Sequence, residues 1–175
     1  SCRTARSWRA LLATWLTTQA IVALGKEHWA GDPESARILR DWLLQQQHRV
    51  RHPYTLAAPG GWAWTNLPGG VPDADDTAGA LLALRALGAP WNSDAASEGI
   101  QWLIDLQNSD GGIPTFCKGW GTLPFDRSGA DVTAHALRAW CEWRAHLSAS
   151  LQRRIARAIE MATRFLARTQ RADGA

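Results

Sequence analysis

The chain has 175 residues, of which 46% are apolar and 20% charged, with a formal net charge of +3. Such a composition fits a globular chain rather than a disordered one, and the length fits one domain or part of a larger one. No run approaches the ~18 uninterrupted apolar residues that span a bilayer. Cys2, Cys117 and Cys141 are odd in number and lack metal-ligand spacing, which argues against a disulfide framework or a structural zinc site.

The first 29 residues have a basic head and an apolar middle. Trp15, Thr17, Thr18 and Gln19 interrupt that middle and no small-residue cleavage site follows, so an amphipathic helix is expected rather than a signal peptide.

Three segments then align: Ala36–Gln47, Ala96–Gln107 and Ile159–Gln170. In each, an aromatic precedes a glutamine by five positions: Trp42 and Gln47, Trp102 and Gln107, Phe165 and Gln170. The glutamines are 60 and 63 residues apart, and a glycine-bearing break follows each. A second apolar-periodic segment follows the first two breaks, so each unit reads as helix, Gly-rich turn, helix. The expected fold is all-α, about three helical hairpins of an α/α toroid, with repeats near 36–95, 96–158 and an incomplete 159–175. Such hairpins cannot bury their apolar faces alone. Further repeats or a partner chain are therefore expected to complete a larger barrel.

Two features carry chemistry. Asp73, Asp75 and Asp76 place three carboxyls in four positions, where repulsion and burial raise at least one pKa and keep a proton on it. Eleven tryptophans against one tyrosine supply large, electron-rich faces. Asp75 and Asp131 are repeat-equivalent, as ADDTA and ADVTA, and an N-cap role is the plain alternative for both. His135 lies one turn beyond Asp131, and its repeat equivalent is Gly79. The terminal arginines (Arg153, Arg154, Arg157, Arg164, Arg168, Arg171) read as a solvated helix face, with an anionic lipid surface as the second reading. Nothing has the basic and aromatic interleaving of a nucleic-acid binder.

The glutamine, glycine, aromatic pattern is similar to the QW repeat of class II triterpene cyclases of the squalene–hopene type. Gly60–Leu81 resembles the stretch of that family containing its DxDD motif. Ser128–Leu137 resembles the segment bearing the histidine that hydrogen-bonds the acid. The resemblance implies proton-initiated cyclisation of squalene or a related polyprenoid without metal or organic cofactor. It makes Asp75 the proton donor, Asp73 and Asp76 supporting carboxylates, and His135 the partner of the acid. Trp64 would face the cavity. Trp62, Trp120, Phe125 and Asp131 are further substrate-binding candidates, with turn packing the competing role for Trp62. The other tryptophans, Trp15 among them, are expected to be packing residues. The protein would be cytoplasmic or peripherally membrane-bound. Two alternatives stay open: a non-catalytic prenyl-binding or interaction module on the same repeat, and a zinc-dependent prenyltransferase β-like protein. Val132 and Thr133 after Asp131 do not give the latter family's Asp-x-Cys spacing.

Overall fold

The computed structural model of the chain describes residues 12–90, 92–116, 127–172 and 174. The helices are α1 (Ala13–Gly31), α2 (Pro33–Gln45), α3 (Ala74–Ala86), α4 (Asp94–Leu106), α5 (Ala130–Trp143) and α6 (Ala149–Thr169). A two-residue strand β1 (Ile113–Pro114) pairs antiparallel with β2 (Ser128–Gly129).

Side-chain caps set several helix starts. Asp32, Asp73, Ser93 and Ser148 accept from the backbone N–H three residues on, opening α2, α3, α4 and α6. Packing then sorts the helices into two layers. Helix α3 lies between α1 and α5, which makes these three an inner row, while α4 packs on α3 and α6 on α5. The inner position of α3 explains its composition: alanines 74, 78, 80 and 83, with Leu81 and Leu84, are fully buried. Outer helices bury one stripe only, as Ile155, Ala158, Ala162 and Phe165 do in α6. The arginines of α6 accordingly occupy its exposed face.

Each outer helix packs more closely on the inner helix before it in the chain than on the one after it, α4 on α3 rather than on α5. The repeat glutamines explain how successive units join. Gln47 Nε2 donates to the Gly60 carbonyl of its own turn (2.8 Å) and to Ala95 O in α4 (2.9 Å). Gln107 Nε2 does the same with Gly111 O (2.8 Å) and Ala158 O in α6 (3.0 Å). Each glutamine thus bridges its turn to the next outer helix.

Helix α1 departs from the expected amphipathic helix. It buries Ile21 yet leaves Leu16 55% and Leu24 52% exposed, so apolar residues face both ways. Gly25 breaks it at φ +81°, and the Trp29 indole N–H donates across the break to the Ile21 carbonyl (2.9 Å).

Candidate active site

The inner helices α1 and α3 begin at the same end of the row, and loops following outer helices close over them. Thr14 and Trp15 N–H groups, in the first turn of α1, donate to Trp64 O at 3.1 and 3.3 Å. Ala74 N–H, opening α3, donates to Thr115 O at 2.8 Å. Between these anchors is a cavity of about 280 Å³ lined by Leu12, Trp15, Trp64, Asp73, Asp75, Asp76, Thr115 and Phe116. The Trp64 and Phe116 rings meet edge to face, 6.2 Å between centroids.

The three aspartates divide their tasks. Asp73 is the N-cap of α3, its Oδ1 accepting from Asp76 N–H at 2.8 Å. Asp75 and Asp76 follow in the first turn, where the helix dipole favours negative charge. This corrects the capping alternative for Asp75 and Asp131. The bridge between Trp62 and Asp73 matches the pairing of Ile113 with Gly129, so Gly129 occupies the equivalent cap position of α5. Thr77 and Thr133 confirm the register, accepting from Trp62 N–H (3.0 Å) and Ile113 N–H (2.8 Å).

Asp75 is held from two other helices. His135 Nδ1 of α5 lies 2.6 Å from Oδ1, and the Trp15 indole N–H of α1 donates to Oδ2 at 2.9 Å. The His135 hydrogen bond, assisted by that of Trp15, holds Asp75 below the usual carboxylate range despite partial burial. Asp73 and Asp76 are each 3% exposed. Burial pushes the Asp73 carboxyl well up, with the Asp76 charge adding to it. Burial likewise pushes Asp76 up to about 6. The cluster therefore contains one carboxyl of lowered pKa beside two that retain protons more readily, in a cavity that Trp15, Trp64 and Phe116 also line.

Gly79 lets Thr18 of α1 approach α3 closely beside the site. A Cβ there would lie 3.1 Å from Thr18 Oγ1 and 3.6 Å from the His135 ring.

Trp64 lines the cavity. Trp62 does not: it is fully buried, its indole N–H donating to Leu43 O at the end of α2 (2.8 Å). Asp131 is exposed and does not line the cavity either. Trp120 and Phe125 lie outside the described residues. Conversely, Trp15, expected to be packing, donates to Asp75. Phe116, Thr115 and Leu12 had no signal of their own in the sequence. Among the described residues, no group of three or more His, Cys, Asp or Glu side chains could hold a metal ion. None of the described helices is long and apolar enough to cross a membrane.

Residues 12–175 match the family model described as the squalene-hopene cyclase C-terminal domain. The chain belongs to this family. Over 110 residues it is 34% identical to the sporulenol synthase of Bacillus subtilis, covering 59% of this chain and 17% of that protein. Over 160 residues it is 30% identical to a squalene–hopene cyclase of Alicyclobacillus acidocaldarius, covering 72% of this chain and 23% of the relative. A terpene cyclase–glycosyl transferase fusion protein of Humicola fuscoatra is 32% identical over 194 residues, covering 96% of this chain and 14% of its own length. The chain thus spans less than a quarter of each of these relatives. Membership in the squalene–hopene cyclase family accounts for the all-α repeat fold.

Proposed function

We propose that this chain carries the proton-donating wall of a triterpene cyclase cavity, and that its substrate is squalene or a related polyprenoid. The observation that carries the reading is Asp75, bound on one oxygen by His135 and on the other by Trp15. An alkene is a weak base, so its protonation requires a strong acid, and donors that stabilise the carboxylate strengthen the acid. In the step proposed, Asp75 gives its proton to a terminal alkene carbon. A C–H bond forms from the π electrons and a tertiary carbocation remains. Neighbouring double bonds then close rings in turn, and loss of a proton or capture of water ends the sequence. The hydrogen bond between His135 Nδ1 and Oδ1 stabilises the carboxylate left behind. The buried Asp73 carboxyl keeps its proton beside it, Asp76 does so below about pH 6, and solvent restores the proton that was spent. The ring faces of Trp64 and Phe116 attract carbocations without bonding to them.

Cyclisation through free cations requires exclusion of water. The described residues supply one wall of such a cavity. Exposed Leu16 and Leu24 on α1 support packing of further repeats along the inner row. No metal or organic cofactor enters these steps.

The test is incubation of the protein, expressed from its full open reading frame, with squalene. Cyclic triterpenes are the expected outcome. Bound but unchanged squalene would make the protein a prenyl-binding module instead.

A further inference from the structure

Both oxygens of the Asp75 carboxyl are occupied, and the second is held by a residue from a different helix. Trp15 stands in the first turn of α1. Its indole N–H donates to Asp75 Oδ2 at 2.9 Å, and its backbone N–H donates to the Trp64 carbonyl at 3.3 Å. Thr14 N–H binds the same carbonyl at 3.1 Å. Trp15, Trp64 and Asp75 line one cavity.

We propose that Trp15 is a positioning residue that ties Asp75 to Trp64, fixing the orientation of the carboxyl and its separation from the aromatic face. This rests on the reading of Asp75 as the proton donor. With His135 on Oδ1 and Trp15 on Oδ2, the carboxyl is held against rotation about its Cβ–Cγ bond. The proton must then occupy a lone pair that neither donor uses, so its direction into the cavity is set by geometry. An indole is suited to this task because it donates one hydrogen bond and accepts none. A hydroxyl or water in its place could take up the proton that the alkene needs. The backbone link adds the second coordinate: α1 cannot shift relative to the loop bearing Trp64 without loosening the acid.

The decisive substitution is Trp15→3-benzothienylalanine, which keeps the shape of the ring and replaces N–H by sulfur, with Trp15→Phe as the genetically encoded companion. In the protein from its full open reading frame, assayed with squalene, kcat should fall about tenfold, the factor associated with about 1.4 kcal/mol at the transition state. KM should stay within about twofold, and the pH below which the rate levels off should rise, because the carboxylate has lost a donor. A purely structural role would lower stability and leave the pH profile in place. Wild-type kcat and pH profile in the benzothienyl variant, with Asp75→Asn inactive, would overturn the Trp15 proposal alone. Full activity in Asp75→Asn would overturn the donor reading and this proposal with it. A readout independent of turnover is the Trp15 indole resonance, assigned by its loss in Trp15→Phe. Its shift should step with pH in the wild type and show no such step in Asp75→Asn; identical behaviour in both would overturn the proposal.

Discussion

His135 Nδ1 and Asp75 Oδ1 lie 2.6 Å apart although 60 residues separate them in the chain. The pair joins α5 to the first turn of α3 and so ties the site to the packing of the inner row. Replacing His135 by Gln keeps much of the bulk and removes the imidazole. We expect kcat to fall by about 10²-fold or more, as for loss of a general acid–base partner, measured with squalene at constant pH. The linkage also has a sign. The Asp75 pKa is depressed when folded, so its contribution to stability is present above the unfolded value, 3.8, and is lost as pH falls through the folded one. Urea denaturation should show part of this acid-side loss removed in His135→Gln.

Asp76 is the opposite case. Its folded pKa, about 6, exceeds the usual 3.8 because burial disfavours the charge. Its contribution is therefore present below the unfolded value and lost as pH rises through about 6. A difference of that size corresponds to about 3 kcal/mol as an upper figure. Asp76→Asn should be more stable than wild type at pH 8, by about 1–3 kcal/mol, and should lose that advantage at pH 4. Thermal melts at the two pH values decide it. Activity should fall in the same variant, a cost of keeping an ionisable group buried at a functional site.

Two glycines separate conformational from steric demands. Gly88 has φ +70° and open space within 4 Å of the point where a methyl would stand, whereas at Gly111 (φ +92°) a methyl would overlap the Met161 carbonyl. Gly88→Ala should cost about 1–2 kcal/mol, the left-handed penalty alone. Gly111→Ala should cost about 3 kcal/mol or more, since α6 backbone must move. Chemical denaturation of both variants tests the difference.

The two tryptophans flanking Ala63 should behave differently. Trp62→Phe leaves Leu43 O without its indole donor and should cost about 1–3 kcal/mol of stability with kcat nearly unchanged. Trp64→Ala should leave the melting temperature close to wild type, lower kcat and increase the share of incompletely cyclised products, as measured by product chromatography.

The repeat architecture was legible in the sequence because its turn chemistry recurs. Gln47 and Gln107 make the same pair of carbonyl contacts, and such local chemistry leaves a periodic trace. The acidic run was legible for a related reason: three carboxyls so close together are costly without a use. Which aspartate caps the helix was not, because Asp suits both the cap and the first turn, and the equivalent cap of α5 is the silent Gly129. Trp15 was hidden for a different reason. Its partner is 60 residues away, so nothing near it in sequence separates it from the tryptophans that only pack.

The central claim is that Asp75 delivers the proton that starts cyclisation. Its most direct measurement is incubation of squalene in D2O with the wild-type protein and with Asp75→Asn, followed by mass analysis of the products. Cyclic product from the wild type should carry deuterium delivered in the initiating step, and product should fall by about 10³-fold or more in Asp75→Asn. Comparable amounts of deuterated product from both proteins would contradict it.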